Sequence, residues 1–397
     1  MIKTKKTIGI DARFYGPLGK GLGRYTQEIV DNIINIDAAN NYVVFLGPDN
    51  FDEFIIPTGA AERVRKVKIN IRWYTLREQL LFPFYIWRSK VDLIHFPHFN
   101  VPIFVPRKFV VTVHDLILTK FPTVRATTLN PVVYKIKNLA YRLVIWLALK
   151  RSAKIITVSE FTKNDIVEQF GIQPEKIVVT YEGVANLAKG RDTLFVNKLD
   201  EQGTLDRYNI ESNFLLYIGN AYPHKNLDGL IRVFSAVNKK YPQIRLVLVG
   251  KSDYFYERVK ELARSLNLYR DKDPKSPIIF PGYVPDQELE VLFRHALFYI
   301  FPSLYEGFGL PPLEAMAKGC PVLSSDKSSM PEILAAAAEY FDPAKEGSML
   351  EAIEKMINNP SRREELIKAG YNQAKKYNWW ECAYATHKVY QQAFYGD

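Results

Sequence analysis

Two cysteines, Cys320 and Cys382, are all that a chain of 397 residues contains. They lie far apart and without metal-ligand spacing, which excludes a disulfide framework and a structural zinc site, and which fits a reducing compartment. Long apolar runs are missing as well. No window approaches roughly 18 uninterrupted apolar residues, about the length a helix needs to cross a bilayer, so no membrane span is expected. The N-terminus opens Met1-Ile2-Lys3-Thr4-Lys5-Lys6, but Asp11 and Arg13 interrupt the following apolar run too early for a secretory leader. A P-loop is lacking too: in Gly16-Pro17-Leu18-Gly19-Lys20-Gly21-Leu22-Gly23-Arg24-Tyr25 the lysine precedes glycine where Ser or Thr belongs, and the glycines do not space as G-x-G-x-x-G. No cluster of Asp, Glu and His suggests a metal. The D-x-D of Asp271-Lys272-Asp273 follows Arg270 in a charged stretch with no strand before it, and reads as solvated loop.

What is present describes an ordinary globular protein, 47% hydrophobic and 24% charged, long enough for two domains rather than one core. The net charge of +10 implies an anionic partner. Nucleic acid, anionic lipid and phosphorylated substrates all qualify, and charge does not choose among them, although no nucleic-acid recognition motif is present.

The most informative run is Phe301-Pro302-Ser303-Leu304-Tyr305-Glu306-Gly307-Phe308-Gly309-Leu310-Pro311-Pro312-Leu313-Glu314-Ala315-Met316-Ala317. Ala296 to Phe301 reads as a buried parallel strand ended by Pro302-Ser303, and Leu310 onward as a helix whose prolines occupy its first turn. Between them Glu306-Gly307-Phe308-Gly309 forms a loop whose glycines let backbone approach a ligand. A strand, glycine loop and helix N-terminus at the carboxyl edge of a parallel sheet suits a phosphate. Glu306 and Glu314 would be repelled by a diphosphate, so each is assigned to hydroxyls, one on a ribose and one on a sugar. The alternative leaves Glu314 at the helix start and Glu306 in water.

This string, followed by Gly319-Cys320-Pro321-Val322 and Pro331-Glu332, resembles the E-x7-E signature of retaining nucleotide-sugar glycosyltransferases of family GT4. The resemblance implies the GT-B fold: α/β, two Rossmann-like doubly wound domains facing an interdomain cleft. The expected boundaries are 1–190 for an acceptor-binding domain, on which a last helix of about 378–397 packs back, and 205–377 for a nucleotide-sugar-binding domain. Asn186 to Asn209, polar and poorly periodic, reads as the linker.

The first domain opens with the strand Ile8-Gly9-Ile10-Asp11, then the Gly16 to Tyr25 loop and a helix from about Tyr25 to Ile34. In the resembling family such a loop reaches the donor phosphate or the acceptor, which implies Gly21 and Gly23, with Arg24 and Asp11 beside them. Thr112-Val113-His114-Asp115 resembles the family strand whose histidine approaches the donor sugar, so His114 is implied in the site. In the second domain, Gly219-Asn220-Ala221-Tyr222-Pro223-His224-Lys225-Asn226 precedes a helix. A lysine at a helix N-terminus opposes the dipole and needs an anion, which makes Lys225 the best diphosphate ligand. Many relatives carry an arginine where this chain has Asn220, leaving His224 or Lys251 as a second cation. The turn after Ile278 to Val284 implies backbone contacts to the base at Tyr283 and Val284. Gly219, Asn220 and Leu310 complete the implied donor set, and Glu306, His114 and Lys225 the catalytic one.

The implied reaction moves a hexose with retention and without metal or cofactor. GDP-mannose is favoured over a UDP-hexose as donor, and a saccharide or polyprenyl-linked acceptor in surface polysaccharide assembly is implied. Two basic stretches rich in aromatics, Trp73 to Arg88 and Tyr134 to Arg151, can face an anionic membrane at the cytoplasmic face, or can pack their aromatics inward, the commoner arrangement. A GT-B sugar-nucleotide epimerase and a non-catalytic sugar-nucleotide binding protein are the alternatives.

Overall fold

The computed structural model describes residues 5–121, 131–184, 200–210 and 213–396, except for the side chains of 131–138, Leu18 and Lys20. Most of the linker expected at 186–209 lies outside the described residues. Its last part differs from expectation, because Glu201–Arg207 is helical, with the Asp200 carboxylate accepting from the Gly203 N–H at 2.8 Å.

The chain divides into two compact units, Met1–Gly183 with Asn378–Asp397, and Val184–Tyr377. The first unit is built on a seven-stranded sheet of order β3-β2-β1-β4-β5-β6-β7, every pair parallel. Its strands are β1 (Thr7–Asp11), β2 (Asn41–Leu46), β3 (Val64–Lys68), β4 (Leu93–Phe96), β5 (Lys108–Val113), β6 (Lys154–Thr157) and β7 (Ile177–Val179). Strands covered on both faces need near-continuous apolar residues, and β2, β4 and β5 are buried almost end to end. The edge strand β3 instead carries Arg65, Lys66 and Lys68, charges that block pairing with a further strand. Under the sheet Phe45, Phe82, Phe96, Phe109 and Val111 share one apolar core.

Gly21 and Gly23, expected in a loop, are helical: the first helix runs Lys20–Ile36, starting five residues early. The reason lies in Gly23, where a Cβ would come within 2.1 Å of the Gly16 carbonyl and 2.7 Å of the Phe14 carbonyl. Glycine there lets the β1 loop fold down onto the helix while the helix continues. The final helix, Trp379–Tyr395, is capped by the Asn378 side chain and belongs to the first unit. It is pinned by the Tyr390 hydroxyl at 2.7 Å from His95 Nδ1, and by Gly183, whose missing side chain admits the Trp379 N–H.

The second unit is a six-stranded parallel sheet of order β10-β9-β8-β11-β12-β13. Here the strands are β8 (Phe214–Ile218), β9 (Arg245–Val249), β10 (Ile278–Gly282), β11 (Phe298–Phe301), β12 (Val322–Ser325) and β13 (Ala338–Phe341). In both sheets the winding reverses once near the middle, between β1 and β4 and between β8 and β11. Loops leaving such a reversal on the carboxyl side diverge and leave a crevice, which is where ligands of open α/β sheets bind.

Candidate functional site

Each unit carries candidate residues at its own reversal point. In the second unit β8 leads through Gly219 to the short 3-10 turn Pro223–Lys225 and the helix Leu227–Lys240. On the other side of the reversal, β11 leads through Pro302 and Glu306 to the helix Leu310–Ala317. The two loops are bonded, with the Leu304 N–H donating to the His224 carbonyl at 2.7 Å. Lys225 and Glu306, 81 positions apart in sequence, are thereby joined, the lysine Nζ lying 2.5 Å from Glu306 Oε1 and 5.2 Å from the Phe301 ring centroid.

The loop that holds Glu306 is itself fixed from β12. Ser328 Oγ accepts from the Glu306 N–H at 2.9 Å, and the Ser329 hydroxyl donates to the carbonyls of Glu306 and Phe308. Gly309 sits at φ +102°, and a Cβ on it would meet the Met330 methyl at 2.3 Å, so both its backbone and its surroundings require glycine. Pro311 and Pro312 carry no N–H, so the first turn of Leu310–Ala317 offers backbone donors only at Leu310 and Leu313. Glu306 and Glu314 act together on the Tyr299 phenol, which burial first, and then both carboxylates, hold far above its ordinary range.

Of the two substitutes for a second cation, His224 is buried and its pKa is lowered to about 4, by burial first and by the Lys225 charge, with Glu306 pulling the other way. It is neutral at pH 7 in the free protein. Lys251 remains, exposed just past β9. The Asn220 carbonyl accepts from Tyr217 Oη at 2.7 Å, and its side chain from the Tyr222 N–H. Tyr283, just past the carboxyl end of β10, is exposed, whereas Val284 is buried. Asp271 of the D-x-D pairs with Arg264 at 2.9 Å, and a cavity of about 260 Å³ beside Asp273 and β10 has neither Lys225 nor Glu306 in its lining. No group of metal-ligating side chains occurs among the described residues.

In the first unit the charges are gathered from distant segments. Arg13, after β1, donates to both oxygens of Asp11 at 2.7 Å and to Glu78 at 2.6 Å, and lies 4.1 Å over the Phe82 ring. Glu78 also accepts from Asn100 Nδ2, at 2.9 Å and 3.0 Å, and from the Tyr74 N–H at 2.7 Å. The Asp11 carboxylate is thus committed to Arg13 and buried. Gly21 is exposed and Arg24 half-buried, both on the helix Lys20–Ile36.

His114, at the end of β5, donates through Nδ1 to Glu182 and through Nε2 to the Pro97 carbonyl, each at 2.9 Å. Both partners are acceptors, so the protonated ring is the form that satisfies both contacts at once. Burial opposes that charge, but the Glu182 hydrogen bond and charge, then the Pro97 carbonyl, raise the His114 pKa above its ordinary value. With both nitrogens engaged by Glu182 and Pro97, neither is free to accept a substrate proton. Glu182 was not foreseen in the site; its place directly before Gly183 at the end of β7 was the available signal. Below His114, His95 donates and accepts within a buried chain from Tyr390 through Thr112 to Tyr25, whose ring lies 4.5 Å from His114.

The two aromatic stretches differ from the inward-packing expectation. On the Leu76–Arg88 helix Glu78, Phe82 and Ile86 face the core, while Leu76 and Leu80 are 84% and 75% exposed and Phe84 and Trp87 are also exposed. Arg77 and Arg88 are exposed beside them, and the helix's one acid, Glu78, is buried. Leu139, Leu143 and Trp146 form a second exposed stripe on the helix Pro131–Arg151. No described helix is long and apolar enough to cross a membrane.

Comparison with known proteins joins the two units. The family described as Glycosyltransferase Family 4 matches residues 20–185, and the family described as Glycosyl transferases group 1 matches residues 206–373. O-antigen chain mannosyltransferase B of Escherichia coli is 28% identical over 391 residues, covering 94% of this chain and 96% of that protein. O-antigen chain mannosyltransferase RfbU of Salmonella typhimurium is 28% identical over 360 residues, covering 87% and 89%. Among solved structures, sucrose-phosphate synthase from Thermosynechococcus elongatus superposes with a TM-score of 0.73 at 20% identity, over 99% of this chain and 100% of that one, a likeness of fold.

Proposed function

We propose, from the premise that this chain belongs to glycosyltransferase family 4 and has its two-domain GT-B fold, that it transfers mannose from a nucleotide diphosphate sugar to a saccharide acceptor in surface polysaccharide assembly. The observation that carries this reading is the contact between Lys225 and Glu306 at the second reversal point. In the free protein the two satisfy one another. A bound diphosphate offers Lys225 a stronger anionic partner, releasing Glu306 to accept from a sugar hydroxyl, while Glu314 takes the ribose. As the bond to the anomeric carbon breaks, negative charge grows on the leaving phosphate, and a lysine already in place stabilises that charge without a metal. The departing phosphate oxygen takes the acceptor's proton on the same face, and the anomeric configuration is retained.

A thermal-shift series with GDP, UDP and their hexose conjugates tests the donor, since a ligand that binds only the folded chain raises its melting temperature. GDP and GDP-mannose are expected to stabilise most; a shift confined to uridine nucleotides removes mannose as the donor sugar. Full turnover in EDTA, and an α-linked product by proton NMR, are the outcomes expected for a metal-independent, retaining enzyme.

The acceptor in this reading is lipid-linked and reached from the membrane surface. Its support is the Leu76–Arg88 face, where an apolar stripe is flanked by arginines with no exposed acid. Such a helix lies in a lipid interface, with its cations toward anionic headgroups. Flotation with vesicles containing phosphatidylglycerol, but not with pure phosphatidylcholine, is the expected result, lost in a Leu80→Glu, Phe84→Glu variant.

A further inference from the structure

Tyr74 is the point from which a further site can be read. Its backbone lies at φ +58°, a conformation that costs a β-carbon-bearing residue on the order of 1–3 kcal/mol and is retained where something other than folding requires it. Its ring gains little from the core, being 63% exposed. The strain is held in place by the buried Glu78 carboxylate, which accepts the Tyr74 N–H, and by Thr75, whose side chain caps the helix that follows. An exposed aromatic clamped from beneath by a buried carboxylate is positioned for a partner outside the fold.

The neighbours define that partner. Trp73 stacks on Phe14 with centroids 4.1 Å apart and planes 5° from parallel, and stays 37% exposed as a residue. The Tyr74 hydroxyl lies 3.5 Å from His98 Nδ1, and the two rings meet edge to face. Beyond His98, Phe99 leads to Tyr141, whose buried hydroxyl has no hydrogen-bond partner among the described residues. The phenols of Tyr74 and Tyr141 both feel the Asp115 charge. Phe14 follows β1, Trp73 and Tyr74 follow β3, His98 follows β4 and Asp115 follows β5, so the cluster sits on the carboxyl edge of the first sheet next to His114.

Flat ring faces interleaved with neutral hydroxyl and imidazole groups, a carboxylate and one unsatisfied phenol match a pyranose. Its axial C–H bonds carry positive partial charge toward an aromatic face, while its equatorial hydroxyls need donors and acceptors at the rim. The arginines that border the exposed apolar stripe of Leu76–Arg88 are absent from this group, which separates it in chemistry from the lipid-facing surface. We infer that Trp73, Tyr74 and His98 form the saccharide subsite of the acceptor, stacking its terminal pyranose on the exposed part of Trp73. The assignment rests on the glycosyltransferase reading and adds to it the class of the acceptor's terminal group and the residues that grip it.

Saturation-transfer NMR with methyl α-D-mannopyranoside, methyl α-D-glucopyranoside and N-acetylglucosamine, each with GDP present, tests it on the full chain. The wild type is expected to bind at least one of the three. Trp73→Ala is expected to weaken that sugar at least tenfold and Trp73→Phe, which keeps a flat face, less than threefold. Tyr74→Gly separates the role from a structural one: it relieves the left-handed backbone, so the melting temperature holds or rises while sugar affinity falls. Equal sugar affinity in Trp73→Ala and the wild type, or no sugar bound by a wild type that still binds GDP, overturns the subsite. A wild type that binds neither GDP nor UDP instead overturns the donor reading on which the subsite depends.

Discussion

The two reversal points make an instructive pair. At the first, Arg13 is held by two carboxylates, a carbonyl and an aromatic face, and Glu78 is in turn surrounded by donors. At the second, Lys225 brings three donors and, among the described residues, pairs with Glu306. Both groups are charged and shielded, yet the second has more hydrogen-bonding capacity to spare: among the described residues Arg13 uses four of its five donors and Lys225 one of three. A saturated cluster fixes the positions of the elements it ties together, here the end of β1, the start of the Leu76–Arg88 helix and the β4 loop. An unsaturated pair can change partners, which is what binding a diphosphate demands. Scaffold and site are thus distinguished by how many hydrogen bonds each charge has left to make.

Breaking the saturated cluster is expected to give the largest effect. Glu78→Ala takes from Arg13 one of its two carboxylates and from Asn100 its buried acceptor, and removing one partner of a buried ion pair costs about 3–5 kcal/mol. Urea denaturation followed by fluorescence should show the loss; an unchanged midpoint would mean the cluster supports nothing. A different pattern is expected from Glu306→Ala, with turnover falling roughly 10²- to 10³-fold, as for loss of one preorganised electrostatic contact, and with the urea midpoint falling by less than in Glu78→Ala. Gly309→Ala lies between them. Forcing a side chain to φ +102° costs on the order of 1–3 kcal/mol locally and shifts the Glu306 loop, so the KM for the donor should rise while far-UV circular dichroism is unchanged.

The smallest effect is a pH dependence, and it sharpens the contrast between the histidines. His114 has its pKa raised above 6.5, so its pairing with Glu182 contributes stability that is complete below pH 6.5 and is lost as pH rises through the raised value. His95 and His98, lowered to about 3, and His224, lowered to about 4, behave oppositely: burial keeps them neutral, and their contribution is complete above pH 6.5 and lost as pH falls toward those values. Their sum predicts a urea midpoint that peaks near pH 6.5. Glu182→Gln removes the alkaline decline and leaves the acid one, and a variant that keeps both limbs contradicts the assignment.

How legible all this was depended on sequence distance. The strand, glycine loop and helix from Phe298 to Ala317 could be read directly because its elements are contiguous, and both parallel sheets followed from short apolar runs. That Lys225 would touch Glu306 required the fold, since β8 and β11 become neighbours only through the crossover of the second sheet. Glu78, Asn100, His98 and Glu182 were passed over because each acts on a residue many positions away and none carries a local pattern. The Leu76–Arg88 helix misled for a different reason. Leu76, Leu80, Phe84 and Trp87 form one helical stripe, while Glu78, Phe82 and Ile86 form another, and periodicity alone does not say which is buried. Glu78 lies on the inward stripe because Arg13 pairs with it there. At Lys20 the glycines suggested a loop, but the close approach of the Gly16 carbonyl to Gly23 was the constraint that governed.

Isothermal titration of GDP into the wild type and into Lys225→Ala reaches the central claim most directly. If the lysine trades Glu306 for the diphosphate, the variant should lose at least tenfold in affinity for GDP while its affinity for guanosine, which has no phosphate, stays the same. Equal GDP affinity in the two proteins would place the diphosphate elsewhere and contradict the account.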